Sequence, residues 1–408
     1  MSNNQRKKYI AINYGIPGPV VFSQLIEYTL QMGIFDMHFD YNFLMSGKSY
    51  FTKNAQLEEN IQQLKKKAKG KVSVFPTPFV NKIPMLYLYS FFIKYMSCHK
   101  DDNSKTIIHP RGLPSALIAN YMRERDDDVS YIYDMRGDSL AEFAYQNRKS
   151  PDSLEQKMQL YKALEEKAVH GAGHVICVSN ALKEIVLKRY KIDSKKVTVI
   201  PCCADANLFK PDLAKRVEVR KHLKLDDQLN LIYCGGLNMW HCAEEMFQLI
   251  GGVLQAVTEA FFIVLTPHRS DAFRLAEKYL PKHRYLIDEV SRNDVPKYML
   301  ASDIGVILRQ NTAVNKASSP TKIAEYLIAG LPVILTGNIG DYSKLIIDSE
   351  VGFLLRDDPI DVVKDLSPLI KYVNKRDWPE RDIISDFGID NFSKAKFIPC
   401  LKDIYDSI

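Results

Sequence analysis

The chain has little tryptophan, two residues in 408, and its seven cysteines are scattered. Cys202 and Cys203 are adjacent, Cys234 and Cys242 stand eight apart, and no CxxC pair or Cys/His zinc spacing occurs. Such sparse, odd-numbered thiols suit a reducing compartment and exclude a disulfide scaffold. No run of 18 apolar residues is present, so no spanning helix is expected. The opening MSNNQRKKYIAINYG has no apolar segment ahead of its first strand-like run, so no leader is expected and the expected location is the cytoplasm. Basic tracts are also missing. The densest, Lys65-Lys66-Lys67 with Lys69 and Lys71, reads as a solvated helix end, and no nucleic-acid partner is expected.

What is present is an ordinary globular composition: 46% apolar, 25% charged and a net charge of +6. That mild basicity fits phosphate-bearing substrates, anionic lipid or nucleic acid and selects none of them. Strand-like and helix-like runs alternate, which predicts an α/β protein with parallel sheets. KYIAIN, KVSVFPTP, KTIIHP, VSYIYDMRGD, HVICVS and KVTVIP read as strands. The run VVFSQLIEYTLQMG reads as a helix closed by Gly33, with Gln24 either reaching the cleft or, the plainer reading, on its surface. CCADANLFKPDLAKRVEVRKHLKLDDQ is polar and weakly periodic and reads as an interdomain linker. Alternation then restarts at LNLIYCGG and continues through AFFIVLTP, a polar stretch, SDIGVILR and VGFLLRDD. The expected domains are 1–204, 205–390 and a C-terminal helix over 391–408 that crosses back to the first domain.

Ligands of open parallel sheets sit beyond the carboxyl ends of the strands. His109, Asp134, Gly235, Arg309 and Ser318–Lys322 fall at such points. The stretch SSPTKIAEYLIAGLPVIL reads as a short helix, with Ser319 as N-cap, Pro320 at the first position and Gly330 at the C-terminal cap. Free amides around Ser318, Ser319 and Thr321, the helix dipole and Lys322 favour a phosphate or diphosphate. Glu325, one turn on, suits a pair of ribose hydroxyls. A capped surface helix with an i,i+3 ion pair is the plainer alternative. The adjacent Gly235 and Gly236 allow backbone to approach phosphate closely. Trp240 suits a stacking role and a core role equally. Asp126-Asp127-Asp128 precedes a strand, which is the wrong side for a metal-binding DxD. PMLYLYSFFIKYM (Pro84–Met96) fits either a core helix or one lying against a membrane.

SSPTKIAEYLIAGLPVI resembles the nucleotide-sugar motif of GT-B glycosyltransferases, in the large retaining GT4-type family. VPKYMLASDIGVILR and SNALKEIVLKRY…KVTVIPCCADANLFKP are similar to segments of that family in matching order. GIPGPVVFSQLIEY, IIHPRGLPSALIA and YDMRGD carry a weaker likeness in the first half. The resemblance implies a GT-B fold, two Rossmann-like domains with parallel sheets facing across a cleft. It implies transfer of a sugar from a nucleotide-diphosphate sugar to a hydroxyl of a glycan or lipid-linked acceptor, with retention, in cell-surface polysaccharide or glycoconjugate synthesis. No cofactor or metal is called for, and the acceptor leaves room for contact with the inner membrane face. Gly235, Gly236, Arg309, Ser318, Ser319, Thr321, Lys322 and Glu325 would hold the donor. His109 would contact acceptor and sugar, Asp134 would orient His109 or hold Arg136, and Gly15, Gly18, Arg111 and Arg136 would line the acceptor side.

Two departures stand out. Ala317 replaces the first acid of the family's Glu-x7-Glu pair, and Gly236 and Cys242 replace its diphosphate-binding Arg and Lys. Lys322 and Arg309 are the substitute cations, with Arg269 a further one. Two other readings share this architecture: a sugar-nucleotide 2-epimerase-like enzyme, disfavoured by nine scattered histidines, and a non-catalytic nucleotide-sugar or carbohydrate binder.

Overall fold

The computed structural model describes residues 7–15, 18–52, 55–77, 104–148, 154–225, 228–238, 240–355, 360–376 and 378–408. The aromatic segment Pro84–Met96 lies outside the described residues. The chain divides into two compact units, Met1–Pro201 with Phe397–Ile408, and Cys202–Lys396.

The first unit is built on a sheet of β1 (Lys7–Tyr14), β2 (Phe39–Ser46), β3 (Val72–Thr77), β4 (Lys105–Arg111), β5 (Val129–Met135), β6 (His174–Cys177) and β7 (Val197–Val199). Their order is β3-β2-β1-β4-β5-β6-β7, and every pairing is parallel. The order reverses between β1 and β4, the switch point where this architecture opens a crevice. Register sets Ala11 beside His109, Asn13 beside Arg111, and Arg111 beside Asp134.

Sequence reading passed over β2 because Asp40 and Asn42 interrupt its apolar run. Asn42 is nonetheless buried, as strands covered on both faces require of most of their residues. The helix after β1 does not close at Gly33. It passes through a π-helical turn at Phe22–Ile26 and ends at Asp36, in the left-handed region at φ 57°. That turn directs Gln24 inward, where it is 2% exposed, instead of onto the surface. Lys65–Lys67 do close a helix, Ala55–Lys67, in solvent.

The second unit holds β8 (Leu229–Cys234), β9 (Ala260–Leu265), β10 (Tyr285–Asp288), β11 (Ile304–Ile307), β12 (Val333–Leu335) and β13 (Gly352–Leu354), ordered β10-β9-β8-β11-β12-β13 and all parallel. Every residue of β8, β9, β11 and β12 is buried, which explains the unbroken apolar runs of β9 and β12; β8 interrupts its run only at the buried Asn230. Here the switch point lies between β8 and β11.

The expected linker is folded into this unit. Ala206–Phe209 and Leu213–Leu223 are helices, and Phe209 and Leu225 enter the apolar core. Charge hid the second helix, because its cations hold it in place. Arg216 and Arg220 both reach Asp303, at 2.6 and 3.2 Å, and donate to the carbonyls of Ser302 and Ala301. Asp303 also accepts from the Asn230 amide at 2.8 Å, which pins the helix to the start of β8. The polar stretch after β9 likewise holds the helix Arg269–Tyr279 and β10.

Candidate functional site

The helix Thr321–Ile328 has the short length its sequence suggests, but its start differs from expectation. Pro320 is the N-cap residue and offers no side-chain cap. The Ser319 hydroxyl accepts from the Cys202 amide at 2.9 Å and meets the Tyr342 hydroxyl at 3.2 Å. Ser318 spends its hydroxyl on the Asn315 carbonyl. The amides of Thr321 and Lys322 therefore keep no partner among the described residues, which is the state that suits an anion. At the other end Gly330 adopts φ 70°, and Leu331 N donates to Tyr326 O, a Schellman closure.

Two close approaches seat this helix on the sheet. The Tyr326 ring lies against Gly305 of β11, where a Cβ would come within 2.5 Å of it. The Tyr326 hydroxyl accepts from the Cys234 amide at 2.9 Å, at the end of β8. Lys322 then bonds both the Cys234 thiol and Glu325, whose Oε2 is 2.5 Å from its Nζ. Burial works against the Lys322 charge. Cys234 and Glu325 outweigh it and hold the ammonium above its ordinary range. Glu325 is 4% exposed, and its Oε1 has no hydrogen bond among the described residues. Arg292 adds a second positive field to this carboxylate.

Beyond Cys234 the chain turns through Gly235 and Gly236. The Gly236 carbonyl accepts from the Tyr233 hydroxyl at 2.6 Å and from His241 Nδ1 at 2.5 Å. Burial, followed by the nearby Arg309, lowers the His241 pKa to about 4, so this imidazole is neutral at pH 7. His268 Nδ1 accepts from the Leu237 amide at 2.8 Å, so its proton is on Nε2. The nine histidines are therefore not all scattered; two of them converge on this loop. Arg309 follows β11 and forms an antiparallel bridge with His241 across the switch point. Its Nη1 donates to Asn315 Oδ1 at 3.1 Å, and its backbone amide and carbonyl both pair with the Thr336 hydroxyl. Burial lowers its pKa to about 10, which leaves it charged. Gly235, Gly236, Arg309, Lys322, Glu325 and the open amides thus lie within one connected network. Arg269 does not join it: it is exposed and reaches over the Phe273 ring. Sequence reading missed Tyr233, His241, His268, Asn315 and Thr336. His268 and Thr336 pair with loops distant in the chain, and nothing in the local spacing of Tyr233, His241 and Asn315 marks their roles.

In the first unit His109 is 4% exposed, and its Nδ1 is hydrogen-bonded to the Tyr405 hydroxyl. Its Nε2 lies 3.6 Å from Asp134 Oδ2. Asp134 is 1% exposed. Burial raises its pKa, but Arg136, His109 and Arg111 overcome that and hold it at about 2. Arg136 bonds Asp134 at 3.0 Å and Gln24 Oε1 at 3.1 Å. Gly15 donates to the Leu44 carbonyl, and the Gly18 carbonyl accepts from Phe22, opening the helix that carries Gln24. His109, Asp134, Arg111 and Arg136 are therefore brought together, with Tyr405 as an unforeseen partner from the C-terminal helix Lys394–Ser407. Asp126 Oδ1 accepts from the Asp128 amide, so the DxD pattern forms a turn.

A family model described as Glycosyltransferase Family 4 matches residues 139–208. A relative named as a candidate teichuronic acid biosynthesis glycosyltransferase, TuaH of Bacillus subtilis (strain 168), is 23% identical over 208 residues, 51% of each chain. The chain thus spans about half the length of that relative. Among solved structures, Anabaena Alr3699/HepE in complex with UDP and glucose superposes with a TM-score of 0.71 at 14% identity, covering 98% of this chain and 100% of that one. A glycosyltransferase from Rickettsia africae ESF-5 does so with a TM-score of 0.68 at 16% identity, covering 99% and 98%. Among the described residues no helix is long and apolar enough to cross a membrane. Two parallel Rossmann-like sheets, the matched segment and these likenesses together make this a GT-B fold chain that resembles the GT4-type glycosyltransferases.

Proposed function

We propose that the chain is a glycosyltransferase that binds a nucleoside-diphosphate sugar in its second unit. The sugar would pass, with retention, to a hydroxyl of a glycan or lipid-linked acceptor in polysaccharide or glycoconjugate synthesis. The observation that carries this reading is the helix Thr321–Ile328, which leaves two first-turn amides open next to Lys322 and Glu325 at the carboxyl edge of the sheet. Phosphate suits the amides and cations, and a ribose diol suits the carboxylate. Nucleotides of the uridine series are the first to test, since the HepE crystal holds UDP.

In this reading the protein acts by position and field. Diphosphate leaves with its negative charge, and Arg309, Lys322 and the helix N-terminus stabilise that charge in a site partly shielded from water. Lys322 and Glu325 neutralise each other in the free protein. Incoming diphosphate takes over Lys322 and releases Glu325 to accept from hydroxyls. His109 is fixed by Tyr405 and Asp134, so its contribution on the acceptor side is to shape and polarise that wall. Arg111 and Arg136 supply positive charge there, and Gly15 and Gly18 admit the acceptor close to backbone. The test is incubation with UDP-, GDP- and ADP-sugars while nucleotide release is followed. Turnover of one donor that depends on Lys322 and Glu325 supports the reading; no binding and no release with any donor overturns it.

A further inference from the structure

Arg309 is a half-buried cation with no carboxylate partner among the described residues. Its Nε is buried and donates to no acceptor among the described residues. The groups facing it are Tyr233, His241, Thr336, Cys202 and Asn315, and none of them is a carboxylate. An unpaired guanidinium placed this way is costly to fold, so its free charge calls for a ligand anion.

Asn315 is the residue that holds it. Asn315 is fully buried. Its Oδ1 accepts from Arg309, and its Nδ2 donates to the carbonyls of Gln310 at 2.8 Å and Trp240 at 3.3 Å. Donors and acceptors around the amide fix which end is oxygen. Its backbone carbonyl accepts from Ser318 and from Gly340. One residue thus links the loop after β8, the loop after β11, the approach to the helix Thr321–Ile328 and the loop after β12.

We propose that Asn315 is a positioning residue that aims Arg309 at the phosphate oxygens of the bound ligand while leaving its positive charge unneutralised. The proposal rests on the donor reading of this site and deepens it. A carboxylate at 315 would orient Arg309 equally well but would cancel its charge, and it would face two carbonyls. A smaller side chain would release the guanidinium.

The test is a double-mutant cycle read by calorimetric titration with pyrophosphate at fixed ionic strength. The wild-type chain binds pyrophosphate. Arg309→Gln and Asn315→Asp each weaken binding at least tenfold, and the double variant binds no more than about twofold worse than Arg309→Gln alone. Asn315→Asp costing the same in both backgrounds would mean that position 315 acts through loop structure, and would overturn the proposal. So would wild-type affinity in either single variant, or no pyrophosphate binding by the wild type. Should Asn315→Asp not fold, Asn315→Ser, which adds no charge, takes its place in the cycle with the same expected non-additivity. Failure of the donor reading looks different: pyrophosphate binds with the predicted pattern, but no nucleoside diphosphate competes with it.

Discussion

Lys322 and Glu325 face each other at 2.5 Å on one side of an eight-residue helix whose leading amides are open. An exposed i,i+3 pair of this kind is worth a few tenths of a kcal/mol and explains little. This one is mostly withdrawn from water, with Glu325 at 4% exposure. Removing either partner leaves the other charge uncompensated. Lys322→Ala and Glu325→Ala are each expected to lower the rate of nucleotide release from the donor at least tenfold. A loss below threefold in both would remove these residues from the site.

His241 gives a pH dependence of stability. Its folded pKa of about 4 lies below the ordinary imidazole value of 6.5, so the unfolded chain binds more protons between those two values. Its contribution is complete above pH 6.5 and is lost as pH falls toward 4. At about 1.4 kcal/mol per unit the ceiling is on the order of 3 kcal/mol. The melting temperature is expected to fall across this window in the wild type and to fall less steeply in His241→Gln. Parallel curves for the two proteins would show that the imidazole is not held neutral by its surroundings.

Gly305 and Gly330 set the seat of the helix. A methyl group at 305 meets the Tyr326 ring at 2.5 Å, and one at 330 meets the Arg381 carbonyl at 2.4 Å on a backbone with φ 70°. Gly305→Ala is expected to destabilise by about 1–3 kcal/mol through overpacking. It should also weaken nucleotide binding, because the displaced element carries Lys322. Chemical denaturation and titration on the same samples check both effects. Loss of stability with unchanged nucleotide affinity would separate the seat from the site.

Tyr405 fixes His109 from the far end of the chain. Tyr405→Phe keeps the ring contacts with Tyr9 and Phe39 and deletes the hydroxyl. The expected cost is about 1–2 kcal/mol, since it leaves a buried imidazole nitrogen without its partner. Transfer should slow, with the KM for the donor unchanged. A rise in donor KM would instead assign His109 to the donor.

The alternating pattern of the sequence was enough to expect two parallel α/β sheets, because strands covered on both faces show as continuous apolar runs. Ala260–Leu265 is such a run. It failed where polar residues are buried with partners. Asn42 conceals β2, and Arg216 and Arg220 disguise a helix as a linker because their partner, Asp303, is more than eighty residues away. The same limit governs the site. Lys322 and Glu325 were legible because helical spacing puts them on one face. Asn315 and Tyr405 were not, because their meaning comes only from what the fold brings to them. Ser319 was misassigned for a related reason: its cap role was taken by Pro320 once its hydroxyl had been claimed by Cys202 and Tyr342.

The central claim is that the second unit grips a nucleoside diphosphate at the leading end of the helix Thr321–Ile328. A crystal of the wild-type protein soaked with UDP tests it directly. The account predicts phosphate oxygens within hydrogen-bond distance of the Thr321 and Lys322 amides and of Arg309, with the ribose hydroxyls on Glu325. Nucleotide bound with its phosphates elsewhere, or Glu325 still closed on Lys322 and touching no ligand atom, would contradict it.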